Sequence, residues 1–204
     1  MNVGKLVLVV GNSGVGKTTL VRRICQVLPL SYALEEHAER PFQALFAADL
    51  QRYALANQID YLLLRAEQES AIRHGSGIGI QDGGLDLDFY VFTRFFHQQG
   101  YLTRDEYLLC ERLHQRLRQT LPPPDLIVLL TAPLDVLLSR FRQRNRSLEI
   151  AAAEDLARLQ ELVDDWMKEV APARLLKIDV GSDDPMFARS LPRLVTTIQS
   201  LLSS

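Results

Sequence analysis

Short apolar runs alternate with long amphipathic segments along this chain. The clearest run, Leu6–Val10, is rich in β-branched residues and bounded by glycines, as in a strand buried on both faces of a parallel sheet. Further runs predict strands over 77–81, 126–130 and 175–179, and a weaker one over 30–34. The intervening segments predict helices over 17–27, 42–74, 86–99, 103–120, 133–142, 152–169 and 185–202. Alternating strands and helices predict an α/β fold, a five-stranded parallel sheet flanked by helices.

Composition places the chain among ordinary globular proteins. It has 204 residues, of which 47% are hydrophobic and 24% charged, and we expect one domain over 1–204. The net charge of −2 argues against nucleic acid or an anionic membrane as the main partner. Without a membrane-length apolar run or a signal-peptide pattern, we expect a cytoplasmic protein. The four histidines lack metal-ligand spacing, so we expect solvated or capping roles for them.

One motif directly after the first predicted strand indicates nucleotide binding. Gly11-Asn-Ser-Gly-Val-Gly16-Lys17-Thr18 fits G-x-x-x-x-G-K-[ST] and opens a predicted helix, so backbone N–H groups and the helix dipole can bind phosphate. Lys17 can reach the β- and γ-phosphates, and the Thr18 hydroxyl can bind Mg²⁺. The alternative to a phosphate-binding loop is a glycine-rich turn that binds no ligand. The residues assigned to the phosphates are Gly11, Asn12, Ser13, Gly14, Val15, Gly16, Lys17, Thr18 and Thr19.

Residues further along the chain share the spacing of a known family. They are Glu35-Glu36 ahead of Pro41-Phe42 and Arg52-Tyr53-Ala54, then Gln58 and Arg65, then Asp82 and Asp88 ahead of Tyr90-Val91-Phe92, and finally Arg140-Phe-Arg-Gln-Arg144-Asn-Arg146-Ser-Leu-Glu149. With these motifs the chain resembles the deoxyribonucleoside kinase family over most of its length. The resemblance implies a three-layer P-loop kinase fold with a helical lid over about 141–150. It also implies ATP- and Mg²⁺-dependent phosphorylation of a deoxyribonucleoside 5′-hydroxyl, and a homodimer formed through helices beside the acceptor site.

The resemblance also implies a role for each matched residue. Glu36 or Glu35 would be the general base, and the count back from Pro41 does not decide between them. Lys17 and the lid arginines would neutralise the transferring phosphate, and Thr18 with Asp82 would bind Mg²⁺. Considered without the resemblance, Glu35 and Glu36 could be a solvated acidic pair, and the lid arginines could be an exposed basic helix end. The lid arginines are Arg140, Arg144 and Arg146, and the predicted substrate-binding residues are Gln58 and Arg65 near the base, Asp88, and Glu149 at the sugar 3′-hydroxyl.

The acceptor motifs depart from the family at three positions. Gly83 stands where the family has an arginine that holds the 5′-oxygen, Gly84 replaces a serine, and Ala47 replaces a sugar-binding tyrosine. These departures support two alternatives: a kinase for another small acceptor, such as a nucleoside monophosphate, and a catalytically impaired nucleotide-binding protein with a regulatory or partner role. Restoring the arginine by Gly83→Arg would discriminate between a damaged nucleoside site and a repurposed one.

Overall fold

A computed structural model of the chain describes residues 4–33, 40–143, 152–182 and 187–201. Its strands form one parallel sheet in the order β2-β3-β1-β4-β5, so β1 is central and pairs with β3 and β4. The strands are β1 (Lys5–Val10), β2 (Ser31–Ala33), β3 (Ile78–Asp82), β4 (Leu126–Thr131) and β5 (Leu175–Asp179). The predicted five-stranded parallel sheet is confirmed, including its weakest strand.

Helices connect the strands and cover both faces of the sheet. Those before β4 are α1 (Lys17–Val27), α2 (Gln43–Ala48), α3 (Leu50–His74), α4 (Leu85–Leu87), α5 (Arg94–Gln98) and α6 (Arg104–Thr120), with a π-helix over Asp88–Thr93 joining α4 to α5. Those after β4 are α7 (Leu134–Gln143), α8 (Leu156–Met167) and α9 (Leu191–Ser200), with 3₁₀ turns over Ala153–Asp155 and Pro172–Arg174. Most of the predicted lid, from residue 144 on, lies outside the described residues. None of the helices in the described ranges has both the length and the apolarity to cross a membrane.

Side chains of β1 alternate between the two faces of the sheet, and this shows the three layers of the fold: helices, sheet and helices. Val7 and Val9 are buried in the apolar cluster that includes α1 and α9, whereas Leu6, Leu8 and Val10 are buried in the cluster that includes α8 and the α5 phenylalanines. Successive side chains of a strand point to opposite faces, so a strand apolar at every position needs a cover on both. The continuous apolar run therefore fixes β1 in the middle layer.

The predicted helix over 42–74 is two helices, because Asp49 interrupts it. Asp49 has an extended backbone (φ −150°, ψ 94°), and its side chain accepts a hydrogen bond from the backbone N–H of Arg52 at 3.1 Å. Aspartate at this position caps the first turn of α3, because its carboxylate satisfies an N–H group that has no partner within the helix. The helical segment is therefore divided into α2, which ends at Ala48, and α3, which begins at Leu50.

Candidate active site

The phosphate-binding motif forms a loop between the central strand and α1. Gly14 (φ +78°) and Gly16 (φ +105°) have left-handed backbones that only glycine adopts without strain. The Lys17 ammonium donates to the carbonyl oxygens of Gly11 and Asn12, each at 3.1 Å, so the lysine lies folded over the loop. The Asn12 amide donates to the carbonyl oxygen of Leu156 at 2.8 Å, which ties the loop to α8. The loop is thus formed as the sequence predicts.

Both predicted Mg²⁺ ligands lie together at the carboxyl edge of the sheet. Asp82 ends β3, directly opposite Val9 of β1, and its Oδ2 accepts a hydrogen bond from the Thr18 hydroxyl. Hydroxyl and carboxylate oxygens are ligands that Mg²⁺ prefers, so this pair fits the ion. The described residues contain no group of three or more His, Cys, Asp or Glu placed for a metal. Thr18 and Asp82 are thus the two predicted ligands that the structure brings into contact.

The predicted substrate-binding residues of α3 meet Asp88 at the start of the π-helix. The Gln58 side-chain amide donates to the Asp88 carbonyl oxygen at 3.0 Å, and Arg65 Nε lies 2.7 Å from Asp88 Oδ2. All three residues are buried, with at most 4% of their surface exposed. Arg65 Nη1 also donates to the carbonyl oxygen of Asp82 at 3.0 Å. Arg65 therefore connects Asp88 to Asp82, the residue that bonds to Thr18 of the phosphate loop.

The turn between β3 and α4 is built on two glycines at the positions where the family pattern has arginine and serine. Gly83 has φ +77° and Gly84 has φ +147°, values that L side chains rarely adopt. A Cβ atom at Gly83 would lie 3.2 Å from Arg65 Nη2, and one at Gly84 would lie 2.9 Å from Leu8 Cδ2. The two departures therefore belong together, since this turn has a backbone that requires glycine at both positions.

Of the other predicted site residues, the structure describes Arg140 and Ala47. Arg140 Nη2 donates to the carbonyl oxygen of Val180 at 2.9 Å, and its Nη1 lies 3.4 Å from the Val15 carbonyl oxygen, which places α7 over the phosphate loop. Ala47 is exposed on α2. The remaining residues lie outside the described ranges: Glu35, Glu36, Arg144, Arg146 and Glu149.

A buried charge cluster behind the acceptor face was missed by the sequence patterns. The Arg118 guanidinium binds both carboxylate oxygens of Glu69 at 2.9 Å and donates from Nε to Asp86 Oδ1 at 2.8 Å. The ring Nε2 of His114 lies 2.8 Å from the same Asp86 oxygen, and His114 is only 4% exposed. The expectation that His114 is a solvated or capping residue is therefore wrong, because it is buried in the interior of α6 and bonded to Asp86. Its spacing of four from Arg118 was the one available signal, because residues four apart share a helix face.

For both carboxylates of this cluster, burial raises the pKa and the neighbouring cations lower it. Burial raises the pKa of Glu69 above its ordinary value, although the hydrogen bond and charge of Arg118 oppose it. For Asp86, burial is outweighed by the hydrogen bond from His114 and the charge of Arg118, so its pKa lies below the ordinary value. Glu69 therefore depends on Arg118 to stay ionised without a large energetic cost.

Comparison with known families gives a match over nearly the whole chain. The family model described as "Deoxynucleoside kinase" matches residues 7–203. The chain is 24% identical to a deoxyadenosine/deoxycytidine kinase of Bacillus subtilis (strain 168) over 201 residues, covering 97% of this chain and 93% of that protein. It is 31% identical to a deoxyadenosine kinase of Dictyostelium discoideum over 146 residues, covering 72% of this chain and 59% of the relative.

Solved structures resemble this fold over nearly the whole chain. A deoxyadenosine kinase from M. mycoides with bound dCTP has a TM-score of 0.80 and 20% identity, and the match covers 96% of this chain and 99% of that one. The same enzyme with dCMP and a flexible dCDP bound has a TM-score of 0.77. At this identity the structural likeness supports the fold, a P-loop kinase fold with a central parallel sheet.

Proposed function

This chain belongs to the deoxynucleoside kinase family, and from that premise we propose that it transfers the γ-phosphoryl group of ATP to the 5′-hydroxyl of a deoxyribonucleoside. Family membership makes it an enzyme and favours a deoxynucleoside acceptor over the two alternatives, a different small acceptor and a purely regulatory nucleotide-binding role. The observation that supports this function is a set of hydrogen bonds that connects the proposed phosphate and nucleoside sites. The phosphate loop, Asp82 and the Gln58–Arg65–Asp88 group form one connected site.

On the donor side, the loop residues are proposed to bind the ATP phosphates. Lys17 donates to two loop carbonyl oxygens, and these hydrogen bonds can be exchanged for phosphate oxygens without moving the backbone. Thr18 and Asp82 are the residues proposed to hold Mg²⁺, which neutralises charge on the transferring phosphate when it is bound. Arg140 stands over the loop at Val15 and is proposed to add a further cation near the phosphates.

On the acceptor side, Gln58 and Asp88 are proposed to bind the nucleoside. An amide offers both a donor and an acceptor, which suits the edge of a nucleobase, and both residues are buried. The general base is proposed to be Glu36 or Glu35, with Arg144, Arg146 and Glu149 in the lid. These five residues rest on the motif match alone.

We also propose that the protein forms a homodimer through α3 and α6, which lie side by side. Leu63 on α3 and Leu108 and Leu109 on α6 are 39–42% exposed, a large fraction for leucine. The chain is proposed to act in the cytoplasm, with small molecules rather than nucleic acid as its ligands. Sedimentation velocity of the protein and of Leu109→Glu tests the dimer, because a charge placed in a dimer interface gives a monomer at equal concentration.

A coupled assay of ADP release tests the proposed activity. The protein is supplied with ATP, Mg²⁺ and each of the four deoxynucleosides in turn, and turnover with at least one is expected. Asp82→Asn removes a proposed Mg²⁺ ligand and is expected to lower kcat by about 10²-fold or more. Intact ATP binding without turnover on any deoxynucleoside would refute the proposal. Thermal stabilisation by an unrelated hydroxyl compound, but by none of the four, would favour another acceptor.

A further inference from the structure

Arg65 crosses from α3 to the glycine turn that follows β3. We propose that Arg65 is a positioning residue: its guanidinium holds this turn, and with it Asp82, in the geometry that phosphoryl transfer needs, and Gly83 is glycine because the guanidinium lies against it. The inference rests on the proposed kinase activity. It gives Arg65 a task different from that of a residue near the base, which is what the motif spacing implies.

The guanidinium bonds to a residue on each side of the turn and lies against Gly83 within it. Its Nη1 donates to the carbonyl oxygen of Asp82 at 3.0 Å, and its Nε lies 2.7 Å from the carboxylate of Asp88. Between these residues, Nη2 lies 3.2 Å from the position that a Cβ atom of Gly83 would take. Arg65 is 1% exposed, so the contacts are held without competition from bulk water. A planar fork with donors on both sides can span a turn in this way, and an ammonium group cannot.

The position of Asp82 connects this contact to catalysis. Its backbone carbonyl oxygen is held by Arg65, and its carboxylate accepts the hydrogen bond from Thr18 in the phosphate loop. A displaced Asp82 backbone would carry the carboxylate away from Thr18 and from the proposed Mg²⁺ site. Misplacement by about 1 Å in an active site can cost about 10²-fold in rate. Arg65 would therefore influence kcat whichever base the acceptor carries.

The backbone at Gly83 explains why the turn carries no arginine of its own. Its φ of +77° disfavours any L side chain, and the space a side chain would enter is already filled by Arg65. A second guanidinium there would bring two buried cations together beside Asp82 and Asp88, whose carboxylates already have Thr18 and Arg65 as partners. The substitution Gly83→Arg is thus expected to displace Arg65 rather than to restore a missing function.

Two variants and their combination test the proposal. Arg65→Lys keeps the charge but cannot span the turn, and Gly83→Ala adds the Cβ atom that meets the guanidinium. Gly100→Ala is the matched control, because Gly100 has φ +74° and nothing within 4 Å of its Cβ position, so it reports backbone strain alone. We expect Arg65→Lys to lower kcat by about 10-fold or more, to the same extent for every deoxynucleoside that the protein accepts. A base-dependent rise in KM with kcat retained would identify a base-reading residue instead and overturn the proposal.

Unfolding measurements separate failure of this inference from failure of the proposed function. We expect Gly83→Ala to be more destabilising than Gly100→Ala in the wild-type background. With Arg65→Lys present, the extra loss at position 83 is expected to shrink, because the group that the Cβ atom meets has gone. Additive effects of the two substitutions would overturn the proposal, even if the protein phosphorylates no deoxynucleoside. If the wild-type protein is inactive but the substitutions are coupled, the contact stands and the kinase assignment fails.

Discussion

Replacing Arg118 by leucine removes the cation that two buried carboxylates share. Glu69 is fully buried, and Arg118 itself is 15% exposed, so neither charge of this pair is well hydrated. Removing one partner of a buried ion pair costs about 3–5 kcal/mol, because the remaining charge loses its compensation. Arg73 Nε lies 3.9 Å from Glu69 and offsets part of that loss. For Arg118→Leu we therefore expect the free energy of unfolding at pH about 8 to fall by about 3 kcal/mol.

The loss is expected to depend on pH in a defined direction. Burial already raises the pKa of Glu69, and without Arg118 that pKa rises further. A group whose pKa is higher in the folded state stabilises the fold at low pH, and that contribution disappears as pH rises through the folded pKa. In the variant, protonation of Glu69 removes the unpaired charge. The difference from wild type is therefore expected to be smaller at pH about 5.5 than at pH about 8.

Urea unfolding followed by the fluorescence of Trp166 measures both quantities. Trp166 is the one tryptophan of the sequence, it is 3% exposed, and it stacks on Tyr90, so its emission is expected to change on unfolding. The double variant Glu69→Gln/Arg118→Leu is the control, since it leaves no charge at position 69. We expect it to recover the part of the stability that the unpaired Glu69 charge costs and to lose the pH dependence due to Glu69, while Asp86 still lacks Arg118. A loss below about 1 kcal/mol, equal at both pH values, is the behaviour of an exposed pair and would refute the reasoning.

Three further predictions follow from single sites. Gly84→Ala is expected to lower the free energy of unfolding by about 1–3 kcal/mol, because of its positive φ and the contact with Leu8, and a change within about 0.5 kcal/mol in urea unfolding would contradict this. Burial raises the pKa of the Cys110 thiol to about 12, so at pH about 8 roughly one molecule in ten thousand carries the thiolate. Thiol reagents followed by mass spectrometry should therefore label this residue in urea but not in the native protein. Gln58→Leu is expected to lower kcat/KM by about 10-fold or more for the preferred deoxynucleoside and to leave the KM for ATP unchanged; an equal loss with all four deoxynucleosides would mean that the amide does not read the base.

The parts of the fold that the sequence predicts well are those that depend on local patterns. The run at Leu6–Val10 has one stable solution, a strand covered on both faces, and the glycine spacing of the next residues permits the phosphate loop. The helix break at Asp49 was not predicted, because a one-residue cap leaves the apolar period on either side unchanged. The π-helix over Asp88–Thr93 was predicted as ordinary helix, because six residues are too few for its wider turn to change the apolar pattern of the whole segment.

The contacts that were missed join residues distant in sequence. Motif spacing identified Arg65 as a residue near the base, but its contact with Gly83 depends on how α3 packs against the turn after β3. The partner of His114 is likewise 28 positions away along the chain, at Asp86. The pattern of residue types along the chain does not predict such long-range contacts. An arginine has the same polarity and the same spacing from its neighbours whether it is solvated or buried. Gly83 and Gly84 were recognised as departures from a family, and the structure supplies the backbone reason.

The central place of β1 has a consequence for how the protein is made. This strand comes from residues 5–10, yet its two hydrogen-bonding neighbours are β3, which ends at Asp82, and β4, which ends at Thr131. At a synthesis rate of about 5–20 residues per second, the apolar strand waits roughly ten seconds in the nascent chain before its second neighbour has been translated. During that time both of its edges can pair with other extended chains. The strand that leads into the phosphate loop is thus open to such pairing on one edge for as long as β4 has not been added.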